Sequence, residues 1–257
     1  MAEPPARNFE EGRPFTDFAR YYDRFMMKYV DYRAWVDYVV RVFGRYRVEP
    51  ERVLDVACGT GIPTLLMARR GYEMVGVDRA EDMLALLKEK RGDLPVKTVR
   101  ADITRFELDR PVDAAVSFYD SINYLLTEED LLGCFRCVRA ALKPGGLFAF
   151  DMNTVYSLSM FWGNKVTPRR AGGIDSVWEN SYDPKTRIST LHLNFWEDDG
   201  EHSSAESFYE EHKERAYSRS EVRRALKAAG FEKVRFYTHG GFLPVGPLTV
   251  RMLCVAT

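Results

Sequence analysis

The stretch Val53-Leu54-Asp55-Val56-Ala57-Cys58-Gly59-Thr60-Gly61 joins a short apolar run to a glycine turn that opens a helix. Glycines let the backbone turn tightly and let a ligand approach the main chain. The helix start that follows presents unpaired N–H groups. An acidic residue, Asp78, closes the next apolar run. In an open α/β sheet, ligands bind at the carboxyl ends of the strands, and a carboxylate there can accept both hydroxyls of an adenosine ribose. These residues alone do not choose the cofactor. Dinucleotide-binding sheets use the same geometry with G-x-G-x-x-G. Thr64 stands where that third glycine would be.

The elements that must position these residues follow from periodicity and punctuation. Two aromatic-rich helices are predicted at 15–28 and 32–46. They carry Tyr21, Tyr22, Phe25, Tyr29, Tyr32, Trp35 and Tyr38. Strands are then predicted at 52–57, 73–78, 96–100, 112–118 and 147–151. Helices at 62–70, 80–91 and 128–142 separate them, and Lys143-Pro144-Gly145-Gly146 closes the last helix. Such β-α-β repetition specifies a parallel sheet covered on both faces. From 176 to 215 the pattern becomes antiparallel, with turns at Asp183-Pro184-Lys185-Thr186 and Asp198-Asp199-Gly200. There Leu191, Leu193 and Phe195 face one side, while His192, Asn194 and Trp196 face the other. Ser218 with Glu221 forms a capping box for a final helix at 218–229, before strands at 231–237 and 250–256.

Bulk properties narrow the class. The chain has 257 residues and a formal net charge of -1, so no global basic field tracks a phosphate backbone. The arginines at 169 and 170, and at 219, 223 and 224, read as solvated faces. Four cysteines are scattered, and the lone pair Cys134/Cys137 lacks the further ligands of a zinc site. No metal is expected. Free cysteines suit a reducing compartment. The first thirteen residues form no signal pattern and are expected to be loose, and no apolar run is long enough to cross a bilayer. The chain reads as cytoplasmic, with no nucleic-acid signal and no membrane, and the reading admits a homodimer.

Taken in order, the motifs from 52 to 151 resemble those of class I S-adenosylmethionine-dependent methyltransferases. Asp55, Gly59 and Gly61 match the first signature, with Ala57 where many members have glycine. Val75-Gly76-Val77-Asp78 resembles the second. The segment 79–84 resembles S-x-x-M-L, with Arg79 departing from serine. Ala101-Asp102-Ile103 resembles the third, and Leu142 to Gly146 the turn before the fifth strand. Asp120-Ser121-Ile122-Asn123-Tyr124-Leu125, Phe150-Asp151-Met152-Asn153, Tyr22-Asp23 and Glu211-His212 are similar to a small-molecule subgroup that includes N,N-dimethyltransferases of nucleotide-linked amino sugars.

The resemblance implies a Rossmann-like α/β fold: a mostly parallel seven-stranded sheet with its last strand antiparallel. It divides a single domain into an N-terminal helical lid (14–47), a cofactor core (52–151), a β insert over the pocket (174–217) and a closing part (218–257). The implied cofactor is S-adenosyl-L-methionine, with S-adenosyl-L-homocysteine as product and a small molecule as acceptor, methylated at an amine nitrogen or a hydroxyl. Ala57, Gly59, Gly61 and nearby main chain would pack on the methionine part, and Asp55 would hold its amino group. Asp78, beside Arg79, would hold the ribose. Met83 and Ile103 would flank the adenine, with Asp102 on its amino group. Phe118 and Tyr119 would lie under the sulfonium, a cation that an aromatic face suits. Tyr22 would reach the cofactor or the acceptor from the lid.

His212 is the candidate base, since histidine titrates in the useful range. Asn123, Tyr124 and His192 are candidate acceptor contacts. Three alternatives stand beside this reading: an NAD-linked oxidoreductase, an RNA methyltransferase, and a module that binds the cofactor without chemistry. The oxidoreductase would need a third glycine and a Tyr-Lys or His-Asp constellation. The RNA enzyme would need a basic groove or an N-P-P-Y-like string where Tyr119-Asp120-Ser121-Ile122 stands.

Overall fold

The computed structural model describes residues 18–197 and 207–257. The N-terminal residues expected to be loose, the helix start at 15–17 and the turn expected at 198–200 lie outside the described residues. The chain begins with α1 (Ala19–Met26) and α2 (Tyr32–Tyr46). Asp31 caps α2 by accepting from the Ala34 N–H, and Arg47 ends it in a left-handed conformation. Next come β1 (Arg52–Val56), α3 (Ile62–Ala68), β2 (Glu73–Asp78), α4 (Glu81–Arg91) and β3 (Val96–Arg100). After these follow β4 (Val112–Ser117), α5 (Glu128–Ala141) and β5 (Leu142–Asn153). An inserted sheet is built from β6 (Val166–Ala171), β7 (Ile174–Asp183), β8 (Ile188–Glu197) and β9 (Ser207–Arg215). Finally α6 (Arg219–Ala228), β10 (Val234–Thr238) and β11 (Arg251–Ala256) close the chain.

The main sheet has seven strands in the order β10-β11-β5-β4-β1-β2-β3. Strands β1 to β5 run parallel, and β11 is antiparallel to both neighbours. All five residues of β1 are buried, as a strand covered on both faces requires. Its neighbours β2 and β4 lie on opposite sides of it, so the strand order reverses beside β1. That reversal opens a crevice at the carboxyl edge, where α/β sheets bind ligands.

One core cluster lies under α5 and α6, including Phe135, Phe148 and Phe150. A second joins α2 to the other face through Val36, Val39, Val42 and Phe43. The two N-terminal helices therefore part company. The buried face of α1 packs on the insert instead, with Phe18, Tyr21 and Phe25 against Leu193 and Phe195.

Two expectations need correction. The fifth strand begins at Leu142, so Lys143 to Gly146 lies within it rather than before it. Val112 pairs with Leu142 and Ala114 with Leu147, and this register shift absorbs the Pro-Gly-Gly segment as an irregularity. The insert also starts earlier than expected, with β6 at Val166. Its sequence Val-Thr-Pro-Arg-Arg-Ala has no apolar alternation, because it is an edge strand where proline is tolerated. Gly172 and Gly173, both at positive φ, close the β6–β7 hairpin as a two-residue turn. The capping box of Ser218 and Glu221 is present as read.

Candidate functional site

A cavity of about 560 Å³ runs along the carboxyl edge of β1, β2 and β4. The turn after β1 forms its floor, with Ala57 and Gly59 at φ 59° and 53°. Left-handed backbone costs a residue with a Cβ about 1 kcal/mol, so Ala57 occupies a position suited to glycine. Gly61 serves a different purpose. A Cβ there would stand 2.2 Å from Leu87 Cδ1, so this glycine lets α3 start against α4 rather than making room for a ligand.

Asp78 binds the turn from the end of β2. Its Oδ2 accepts from the Gly59 N–H at 2.8 Å and its Oδ1 from the Ala80 N–H at 2.9 Å. Burial pushes its carboxyl up, against the pull of these bonds. Asp55 lies beneath the turn, 1% exposed. Its Oδ2 accepts from the Thr64 hydroxyl at 2.5 Å, whereas its buried Oδ1 has no hydrogen-bond partner. Burial raises its carboxyl to about 7, and the charge of Asp78 adds to that. An orphaned carboxylate oxygen under a glycine turn is a costly arrangement that a bound ammonium group would relieve. The donor set therefore fits the amino-acid part of S-adenosylmethionine.

Arg79, Met83, Asp102, Ile103, Phe118 and Tyr119 also line this cavity. Asp102 accepts from the Thr104 N–H and hydroxyl through Oδ1 alone, at 2.8 and 2.7 Å. From α1, Asp23 accepts from the Thr60 hydroxyl at 2.5 Å and pairs with Lys90 of α4. This contact draws α1 over the glycine turn and seats the neighbouring Tyr22 in the cavity wall.

A smaller cavity of about 110 Å³ lies between the sheet edge and the insert. Tyr22, Tyr119 and Tyr124 line both cavities. The chain leaves β4 through Tyr119 and Asp120, at φ 61° and 54°. Asp151 holds this strained turn, accepting from the Tyr119 N–H at 2.6 Å and the Asp120 N–H at 3.0 Å. Arg251 Nη1 donates to Asp120 at 2.7 Å and to Asp151 at 2.5 Å. Burial alone would loosen the Arg251 proton, but the two carboxylates outweigh it and keep the guanidinium charged.

The structure distributes the remaining candidates unevenly. His212 lines the smaller cavity, but both its ring nitrogens are engaged, Nε2 with Glu210 at 3.0 Å and Nδ1 with the Tyr124 hydroxyl at 3.1 Å. His192 is not among the residues around either cavity. It belongs to the face of β8 opposite Ser189, Leu191 and Leu193 and meets Tyr209 there. Alternation along a strand puts the two sets on opposite sides, so His192 is placed away from any acceptor in these cavities. Asn123 is fully buried and spent on backbone. It donates to the Asn153 and Arg215 carbonyls and accepts from the Asn153 N–H. Glu214 and Arg251 also line the smaller cavity and were not singled out from the sequence, and Arg169, expected on a solvated face, lines it too, partly buried with its guanidinium over the Trp178 ring. Only the alternation of β9, which puts Glu214 on the same face as His212, could have pointed to one of them.

Comparison with known proteins agrees with this geometry. A methyltransferase domain model matches residues 53–146. A protein of Geobacillus sp. (strain WCH70), assigned by name to the methyltransferases, is 30% identical over 84% of this chain and 88% of its own. The crystal structure of an S-adenosylmethionine-dependent methyltransferase from Clostridium acetobutylicum ATCC 824 superposes with a TM-score of 0.84 at 28% identity, covering 93% of this chain and 97% of the other. The dTDP-3-amino-3,4,6-trideoxy-alpha-D-glucopyranose N,N-dimethyltransferase of Streptomyces venezuelae is 30% identical over 53% of this chain and 57% of its own.

Proposed function

The chain belongs to the S-adenosylmethionine-dependent methyltransferases, and from that premise we propose that it methylates a small molecule seated in the smaller cavity, at an amine nitrogen or a hydroxyl. The observation that carries this is that the two cavities adjoin, with Tyr22, Tyr119 and Tyr124 lining both. Bound S-adenosylmethionine supplies a sulfonium methyl for in-line displacement and leaves as S-adenosylhomocysteine. The chain's own residues bind, orient and exclude water. Asp55 would hold the cofactor's ammonium, and Asp78, flanked by Arg79, the ribose. Met83 and Ile103 would flank the adenine, and Asp102 its amino group. Phe118 and Tyr119 would present ring faces to the sulfonium. Tyr22 would close over the reacting groups as part of α1, and a water-excluded site strengthens each of these interactions.

The near-neutral charge favours a small acceptor over a nucleic acid. Among the described residues no helix is long and apolar enough to cross a membrane. A cytoplasmic setting is part of the proposal, supported by free cysteines.

Calorimetric titration with S-adenosylmethionine, S-adenosylhomocysteine and NAD tests the reading. Saturable binding of the adenosyl ligands alone is expected, and binding of NAD alone would overturn it. Asp78→Ala should weaken S-adenosylhomocysteine binding by about a hundredfold, the worth of charge-assisted hydrogen bonds to a carboxylate. Unchanged affinity in a folded variant would remove Asp78 from the ribose role.

A further inference from the structure

We propose that Glu210 is a positioning residue that sets both Tyr22 and Tyr124 where the two cavities adjoin, and so ties the wall of the acceptor cavity to the helix over the cofactor. This deepens the methyltransferase reading and rests on it, because the methyl group would pass between the cavities there. Glu210 of β9 is fully buried and is absent from the walls of both cavities. A buried carboxylate is costly unless its oxygens are hydrogen-bonded. Glu210 turns its two oxygens to different parts of the molecule. Its Oε1 accepts from the Phe18 N–H at 3.0 Å. Its Oε2 meets His212 Nε2 at 3.0 Å, and a carboxylate oxygen only accepts, so the imidazole donates there.

The first bond holds α1. Phe18 stands at the N-cap position, and its side chain makes no cap. The partner of its N–H comes instead from 192 residues along the chain, and a negative charge suits a helix start. Tyr22 lies one turn further on. Its ring meets the Phe18 ring edge-on, with centroids 5.6 Å apart. Holding Phe18 therefore holds the ring that Tyr22 brings to both cavities.

The second bond holds the opposite wall. His212 Nδ1 meets the Tyr124 hydroxyl at 3.1 Å, and the two rings pack edge-on at 6.0 Å. Glu210 and His212 pair with Leu193 and Leu191 of β8, so alternation puts carboxylate and imidazole on one face of β9. Tyr119, the third tyrosine shared by the cavities, is held separately, by Asp151 through its backbone N–H. A disturbance at His212, which lines the smaller cavity and not the larger, thus reaches α1 through one shared carboxylate. Methyl transfer depends on close alignment of donor and acceptor, and a single buried group that sets both walls keeps them in step.

The test uses the full chain and reads two quantities, hydrogen–deuterium exchange of the α1 amides and the dissociation rate of S-adenosylhomocysteine. Glu210→Leu should speed both by about tenfold, the worth of a hydrogen bond to a charged group, while exchange in α2 stays within about twofold. Glu210→Gln keeps an oxygen for the Phe18 N–H and an amide that can donate to the ring, so it should bring α1 exchange back to within about threefold of the unmodified chain. His212→Leu leaves the lining of the cofactor cavity intact, yet should speed α1 exchange and S-adenosylhomocysteine release by about threefold. This variant keeps the test available where E210L fails to fold. Unchanged α1 exchange in E210L, or α1 exchange and ligand release both unchanged in H212L, would overturn the proposal. Failure of the unmodified chain to bind S-adenosylhomocysteine would overturn the cofactor reading beneath it, whereas α1 exchange needs no ligand and tests the tether by itself.

Discussion

The two cavities meet at three tyrosines yet are built in opposite ways. The larger one is local. Asp55, the glycine turn, Asp78 and Asp102 all come from one run of β-α-β units, and the bonds of Asp55, Asp78 and Asp102 stay within that run, to Thr64, to the Gly59 and Ala80 N–H groups and to Thr104. The smaller one is remote. Asp120, Asn153, Glu214 and Arg251 come from four separate parts of the chain and satisfy one another through side chains. Local construction favours a cofactor site that many sequences share. Remote construction lets the acceptor site change through the insert while the sheet stays the same.

The contrast can be broken most directly at Arg251. Arg251→Met should cost about 3–5 kcal/mol of stability, because Asp120 and Asp151 would be left buried without their cation. A urea midpoint within error of the unmodified chain would show that the acceptor side is not held by this pairing.

On the cofactor side, Asp55 should show the converse. Its folded-state value of about 7 exceeds the ordinary carboxylate value, so the folded chain binds the extra proton. That stability is complete below about pH 4 and is lost as pH rises through about 7. Asp55→Asn should flatten this dependence and stabilise the ligand-free chain at pH 8 by on the order of 3 kcal/mol, while weakening S-adenosylmethionine binding. Urea midpoints at pH 5 and pH 8 measure it, and parallel slopes in both proteins would count against a neutral Asp55.

The smallest effect concerns Gly61. Gly61→Ala should cost about 2 kcal/mol through overpacking against Leu87, at a φ of 78° that adds strain. A G61A/L87A double variant should cost less than the sum of the two single changes. Strict additivity would mean that the glycine is needed for its backbone alone.

How far each cavity was legible follows from the same contrast. The individual strands of the main sheet, α2 at 32–46 and the capping box at Ser218 were readable because buried strands, helix periodicity and caps are written within a few residues, whereas the joining of seven strands into one sheet was legible through the family resemblance. The edge strand β6 was not, since an edge strand needs no apolar alternation. His192 and Asn123 show the limit for side chains. Residue type suggested contacts, but strand pleat turned one away and burial spent the other on backbone carbonyls.

The sequence by itself determined the element order, the glycine turn and the acidic strand ends that the cofactor family shares, because neighbouring residues interact however the chain is folded at long range. Only the tertiary structure decided that α1 joins the insert and that Asn153 bridges Asp120 and Glu214. It also decided that Arg251 is shared by two buried carboxylates. Those pairings span distant segments, and the charges of such groups depend on burial that no local pattern records.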